Sequence, residues 1–467
     1  MKNLIFPLIA GIFQIVYITL RLPYLNEKIP FWYTKPWGDP QLAHKTNLYI
    51  LAGLTIIIPF LLTRLLALLK NYCITYINRV VFYTNILVSS FLTYSALRII
   101  KAASTPFPAL INPTILQFLL PFATAFFITV LIAPKFIKKM NTLGIVTDPI
   151  THSHPGMILQ KPSARGGGII FTVAFIITSL LFVQLHKETL AILIGAVILA
   201  LLGWLDDYQN THPKSVYSFL ENPILRLVIL IIVALIMVVP FGIKSFYISN
   251  PLGGIITLIQ PISIIFTVIW IVWILNLLSW SNGIDGQYSG IVGIAGIVIG
   301  LLALRFSAPQ ELQINIATMA FILSGASLAL VFYTWHPSKI MWGFSATSAG
   351  LVIALLSILV STKVATSITI MIIPFLDALV TIVRRLLQKK NPFKGDRGHL
   401  HHLLLDRGWS IKKIAVFYWI STAICGIIGL AASERYALQS VLILGGIVAF
   451  GIILVNLQSL TKKNRTQ

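Results

Sequence analysis

Residues 191–210 read AILIGAVILALLGWLDDYQN, fifteen apolar or small residues followed at once by two aspartates, Asp206 and Asp207. An apolar run of this length crosses most of a bilayer core as a helix. A carboxylate at the mouth of such a span is costly unless a cation, hydrogen-bond donors or a water-filled cavity receives it. The pair therefore announces both a membrane helix and a place where polar chemistry gathers.

The rest of the chain agrees on the membrane. Of 467 residues, 57% are hydrophobic and 10% charged, and only 13 are acidic; mean hydropathy is +0.89. No soluble enzyme reads this way. About fourteen apolar stretches lie between residues 4 and 455, most long enough to span hydrocarbon. The expected fold is all-α, a polytopic integral membrane protein of about 14 transmembrane helices, made of an 11-helix core and about three N-terminal spans. The stretches at 290–304 and 347–361 are short, and 364–386 is read as one span. Lys2 alone precedes the first stretch and no small-residue cleavage pattern follows it, so it is read as an uncleaved span. Cys73 and Cys425 are isolated and show no metal-ligand spacing.

From the fourth span onward, alternate loops hold twenty Lys and Arg on one side and five on the other. That asymmetry orients the larger set toward the cytoplasm. It also accounts for the net charge of +22 without nucleic acid. Residues 1–110 are read as an N-terminal membrane extension and 111–460 as the core, with a basic, His-rich cytoplasmic loop at 387–413. Seven of the eight aspartates share the basic face. Opposite charges around one membrane surface suit an anionic substrate that arrives with a divalent cation.

Three motifs carry the chemistry. Asp206 and Asp207 permit Mg²⁺ coordination, proton abstraction or both, though a solvated helix cap gives the same pair. NLLSWSNGIDGQ, residues 276–287, sets Asn276, Asn282 and Asp285 around two glycines, where a hydrated cation or a sugar amide can be bound. A Gly-rich turn is the plainer reading, but it leaves Asn276 inside the span unexplained. The loop RRLLQKKNPFKGDRGHLHHLLLDRGWSIKK, residues 384–413, surrounds His399, His401 and His402 with basic residues including Arg397. Neighbouring cations favour phosphate there over a transition metal. If extended, the stretch puts His399 and His401 on one face; if helical, His399 and His402.

Taken in order, GWLDDY, the N-x5-N-G-x-D-G segment and DRGHLHHLLLDRGW resemble the polyprenyl-phosphate N-acetylhexosamine-1-phosphate transferases of glycosyltransferase family 4. The likeness runs from about residue 115 to the end. It includes Asp148, Lys161, Arg165 and Gly166 to Gly168, and FLDALVTIVRR with Asp377 and Arg385. The HLHH form is similar to the branch that transfers GlcNAc-1-phosphate. The resemblance implies attack by undecaprenyl phosphate on a UDP-N-acetylhexosamine at the cytoplasmic face of the cell membrane, release of UMP, initiation of cell-wall or surface-polysaccharide synthesis, and Mg²⁺ or Mn²⁺ as cofactor. It also makes a homodimer conceivable. By the same likeness, Asp206 positions or deprotonates the lipid phosphate, and Asp207 and Asp285 are catalytic carboxylates near the metal. Lys161, Arg165, Asn276, Asn282, Arg397, His399, His401 and His402 contact substrate.

Two departures stand out. Ser279 and Asn282 replace an Asn and an Asp of the family pattern. In PSKIMWGFSAT, residues 337–347, Phe344 occupies the position where the family places its principal Mg²⁺-binding Asp. Either Asp206, Asp207 and Asp285 hold the ion differently, or metal use has changed, or activity is lost. An ion-coupled transporter using Asp206, Asp207, Asp285 and Asp377 is the reading from another class, although no inverted repeat accompanies these acids.

Overall fold

The computed structural model describes residues 4–22, 25–32, 39–68, 74–103, 113–149, 161–212, 215–250, 255–305, 311–360, 364–391, 397–432 and 437–464. Cys73, residues 150–160 after Asp148 and residues 392–396 of the His-rich loop lie outside these. The chain divides into two compact units, residues 1–113 and 114–467.

The first unit holds α1 (Ile5–Arg21), α2 (Leu48–Leu68) and α3 (Ile74–Ala103), with a short antiparallel ribbon of β1 (Lys28–Pro30) and β2 (Leu42–His44) between α1 and α2. Its helices are tied by a polar contact inside an apolar bundle. The Gln14 amide donates to Thr55 Oγ1 at 2.8 Å and to Thr93 Oγ1 at 2.7 Å. In lipid, such interhelical hydrogen bonds pin helices that have no hydrophobic drive to associate.

The second unit contains α4 (Pro113–Thr142), β3 (Val146–Thr147), β4 (Ser163–Ala164), α5 (Gly167–Phe182), α6 (Lys187–Thr211), α7 (Pro223–Val238), β5 (Tyr247–Ser249), β6 (Ile255–Thr257), α8 (Gln260–Trp280), α9 (Gln287–Ala303) and α10 (Glu311–Thr334). It continues with α11 (Thr347–Leu359), α12 (Val364–Ile370), α13 (Ile372–Leu387), α14 (Leu400–Leu405), α15 (Ile411–Ala431) and α16 (Ala437–Asn464). Both pairs, β3 with β4 and β5 with β6, are antiparallel ribbons between helices.

Helices cover every apolar stretch read from the sequence. Among the described residues, eight helices are long and apolar enough to cross a membrane, and further apolar helices run 10–17 residues. Short α11 is explained by where it sits: every residue from Thr347 to Ser357 is buried, against α5, α6, α8, α9 and α10. A helix apolar all round belongs inside the protein. The stretch 364–386 differs from expectation, because it is two helices that break at Met371 (φ −105°, ψ 23°). Pro374 has no N–H for the Ile370 carbonyl, and its ring crowds that oxygen.

One close approach fixes the architecture near the acids. A Cβ on Gly168 of α5 would lie 2.2 Å from the Ser345 carbonyl oxygen, and one on Gly203 of α6 would lie 2.3 Å from Ser345 Cα. Only hydrogen in place of a side chain lets two helices grip that backbone. Gly203→Ala is expected to cost about 1–3 kcal/mol by overpacking, read as a lower thermal unfolding midpoint in detergent. Gly446→Ala, whose Cβ meets nothing within 4 Å, should leave the midpoint unchanged or slightly raised; equal effects of the two would remove the gripping role.

Candidate active site

The segment 335–346, between α10 and α11, is the hub. Ile340 bridges Ala164 in parallel register. The Met341 amide donates to the Ala164 carbonyl at 2.8 Å, and the Gly167 amide to the Met341 carbonyl at 2.9 Å. Trp342 is fully buried and anchors the segment: its Nε1 donates to Ser289 Oγ at 2.7 Å, and its ring lies 4.7 Å from Tyr288 and 5.6 Å from Phe171. The Tyr288 hydroxyl donates to the Ala346 carbonyl at 2.6 Å. Gly343 is required twice over, by φ +66° and because a Cβ would lie 2.0 Å from Asp207 Oδ2.

That tight turn presents donors to Asp207, which is completely buried. The Phe344 amide donates to its Oδ1 at 3.0 Å, Arg165 Nη1 lies 3.4 Å from the same oxygen, and Ser345 Oγ donates to Oδ2 at 3.4 Å. Arg165 is itself held by a hydrogen bond from Nε to Thr147 Oγ1. Asp206 has its own cation: Arg226 Nη2 stands 2.6 Å from Oδ1, while the Asn210 amide donates to Oδ2 at 2.7 Å. The Arg226 contact is one of charge and distance rather than aligned hydrogen bonding, since Oδ1 receives no bond of good geometry from the described residues. Each of two adjacent carboxylates thus meets a separate guanidinium, which answers their mutual repulsion.

Arg226 stands in the first turn of α7, whose N-terminus Asn222 caps through bonds from Ile224 and Leu225 amides. A cation there opposes the helix dipole. Its compensation comes from Asp206, from a bond by Nε to the Leu220 carbonyl, and from the Phe344 ring, whose centroid is 5.2 Å from the guanidinium.

The Gly-rich segment between α8 and α9 meets the same hub. The Asn282 amide donates to the Gly343 carbonyl at 3.3 Å. Asp285 Oδ2 accepts from His336 Nδ1 at 2.7 Å and from the Ser338 amide at 3.2 Å. A cleft lined by Asn282, Asp285, Ser338, Ile340 and Trp342 opens between the two segments. His401 packs on Gly283, where a Cβ would come within 2.6 Å of its Nε2.

The His-rich loop resolves both of the geometries read from sequence into one. His399 is extended (φ −69°, ψ 148°) at the N-terminus of the six-residue α14. Asp377 of α13 caps that helix by accepting from the Leu400 amide at 2.7 Å, and its other oxygen meets His399 Nδ1 at 3.1 Å. The imidazoles form a row, His399 parallel to His401 at 5.7 Å and His402 tilted by 48° against His401 at 4.3 Å. Burial, helped by the neighbouring imidazoles and Arg397, holds His401 well below the usual histidine range; burial and Arg397 push His402 down to about 4. Both are neutral at physiological pH.

The ends of α6, α8 and α10, the starts of α7, α9 and α11, and Asp377 within α13 therefore meet at one mouth of the bundle. Of the residues expected at a site, Asp206, Asp207, Arg165, Asn282, Asp285, His399, His401 and His402 enter this network. Asn276 instead donates to the Val272 carbonyl of its own helix at 2.8 Å. Arg397 pairs at the surface with Asp406 at 2.6 Å, and Lys161 is exposed. Arg226, His336 and Ser338 were not singled out from sequence. Arg226 had a signal, a cation in the first turn of an apolar helix, whereas His336 had only its place just ahead of PSKIMWGFSAT.

A multi-pass helical membrane protein whose carboxylates, guanidinium groups and imidazoles converge at one mouth is the class this geometry defines. The model of glycosyl transferase family 4 matches residues 189–361, from the start of α6 to the end of α11. The chain is 27% identical over 319 residues to a phospho-N-acetylmuramoyl-pentapeptide-transferase of Wolbachia sp. subsp. Drosophila simulans (strain wRi), covering 66% of this chain and 96% of that protein. It is 27% identical over 304 residues to a probable undecaprenyl-phosphate N-acetylglucosaminyl 1-phosphate transferase of Bacillus subtilis (strain 168), covering 63% and 79%. It is 24% identical over 329 residues to a decaprenyl-phosphate N-acetylglucosaminephosphotransferase of Mycobacterium tuberculosis (strain CDC 1551 / Oshkosh), covering 62% and 78%. Over the helices that build this site, the chain is thus similar to glycosyl transferase family 4.

The residues present do not fit the divalent ion that the resemblance implies. Mg²⁺ asks for near-octahedral oxygen ligands. Among the described residues, no three His, Cys, Asp or Glu side chains gather to hold an ion. Both oxygens of Asp207 accept from N–H or O–H donors, Asp206 Oδ1 faces Arg226, and Asp285 Oδ2 is taken by His336 and Ser338. Phe344 contributes a hydrocarbon ring.

The histidine row yields a pH signature. His402 binds a proton near 6.5 when unfolded and only near 4 when folded, so its contribution to stability is fully present above about 6.5 and lost as pH falls through about 4. The wild-type unfolding midpoint in detergent should fall by more degrees across that window than that of His402→Gln. Identical slopes for the two would refute the assignment.

Proposed function

We propose that the protein transfers an N-acetylhexosamine-1-phosphate, GlcNAc-1-phosphate in the first instance, from its UDP-sugar to undecaprenyl phosphate. A phosphate oxygen of the lipid attacks the β-phosphorus of the nucleotide sugar, the bond from that phosphorus to the bridging oxygen breaks, and UMP leaves. The product is a lipid-linked sugar diphosphate that begins cell-wall or surface-polysaccharide synthesis. The mouth of the bundle lies toward the cytoplasm in this reading, as the distribution of Lys and Arg suggests.

The observation that carries the reading is the contact chain from Asp207 to the turn at Gly343 and Phe344, on to Asn282, and from Gly283 to His401. Motifs almost two hundred residues apart along the chain share one surface, as phosphoryl transfer requires, because its catalysis is mostly positioning and charge stabilisation. Arg165 and Arg226 keep 21% and 27% of their side chains exposed beside the buried acids, so positive charge faces an arriving diphosphate. Asp207 holds the turn and Arg165 in register. The neutral imidazoles of His401 and His402, whose buried Nδ1 atoms have no partner among the described residues, keep hydrogen-bonding capacity for a nucleotide phosphate or base. The relatives' names support the reading, since they describe phospho-sugar transferases, two of them acting with a polyprenyl phosphate.

Purified protein in detergent, given labelled UDP-GlcNAc and undecaprenyl phosphate, should form a labelled lipid and release UMP. Asp207→Asn, which keeps the shape but loses the charge that holds Arg165, should lower the rate by about 10²-fold or more. Absence of any lipid product from UDP-N-acetylhexosamines, together with ion-driven solute uptake by sealed vesicles, would sink the transferase and favour a carrier.

A further inference from the structure

Resting on the transferase reading, we propose that guanidinium groups stand in for the divalent cation: Arg226, clamped between Asp206 and the Phe344 ring, and Arg165, held against Asp207, supply the fixed positive charge that meets the diphosphate.

The balance of charge is the first ground. Two carboxylates sit side by side in buried helix, and two guanidinium groups are paired to them at 2.6 Å and 3.4 Å. Each carboxylate is buried and already paired, so neither offers a dication an uncompensated oxygen, whereas the guanidinium groups keep 21% and 27% of their side chains exposed toward an incoming anion. An arriving ion would have to displace both arginines and strip Asp207 of the Phe344 and Ser345 donors. The second ground is Phe344. The position that would carry an anionic ligand carries an aromatic face, and Arg226 lies over that face at 5.2 Å. A ring quadrupole attracts a guanidinium and offers a dication no ligand oxygen. The third is anchoring. Arg226 is fixed through Nε by the Leu220 carbonyl and Arg165 through Nε by Thr147, so both cations are preorganised, as charge-stabilising groups must be. Arginine suits the role because its planar fork stays charged and pairs with phosphate oxygens bidentately.

The test measures transfer from labelled UDP-GlcNAc to undecaprenyl phosphate by the full-length wild type in detergent, with EDTA and with added Mg²⁺. In parallel, the wild type is titrated with Mn²⁺ and free ion is followed by electron paramagnetic resonance. Expected are rates with and without chelator within about twofold of each other and no stoichiometric loss of the Mn²⁺ signal. Arg226→Met should lose about 10³-fold, the range of an arginine that stabilises phosphoryl-transfer charge, with no recovery on adding Mg²⁺. Phe344→Leu should lose only a few-fold, the scale of one cation–π contact. Transfer that disappears in EDTA and returns with Mg²⁺, or one Mn²⁺ held per chain, overturns the inference while leaving the transferase standing. No transfer under either condition overturns the transferase reading and the inference with it. Should Arg226→Met fail to fold, the two wild-type measurements still decide.

Discussion

Backbone pressed on backbone at Ser345 is the constraint on which the site depends. Gly168 and Gly203 let α5 and α6 close on this residue, and the closure places the amide of Phe344 on Asp207. Were either helix held off by a methyl group, the turn would retreat from the acid, and Asn282, which donates to the Gly343 carbonyl, would lose its partner as well. A contact with no polar chemistry of its own thus sets the distances of the polar network around it.

Electrostatic economy follows from the same packing. Hydrocarbon and dense protein leave little solvent to dissipate charge, so each buried anion needs a specific answer. Asp206, Asp207, Asp285 and Asp377 each have one: Arg226, Arg165, His336, and the α14 N-terminus with His399. The four acids thereby play different parts. Two neutralise arginines, one fastens the 335–346 segment to the Gly-rich turn, and one braces the histidine row.

Membrane class, helix positions and the presence of three motifs were legible in the amino-acid order, because apolar length and the rarity of charge are local properties. Pairings were not. Arg165 reaches Asp207 across 42 residues, and the histidine geometry is decided by Asp377, 23 residues before the amide it caps. Proline was ambiguous for a related reason. Pro59, Pro121 and Pro134 sit inside continuous helices, whereas Pro374 follows a break at Met371; whether a freed carbonyl finds another partner depends on neighbours the sequence does not order. Phe344 was visible as an anomaly, but its partner Arg226 passed as one more topogenic cation.

The complete enclosure of α11 has a mechanical consequence. Surrounded by α5, α6, α8, α9 and α10 from Thr347 to Ser357, it has no face on which acyl chains can push. Thickening, thinning or stiffening of the bilayer reaches the turn at its head only after the surrounding helices have tilted. The turn at the head of α11 is thus mechanically shielded from the fluid around it, while the outer helices absorb the strain.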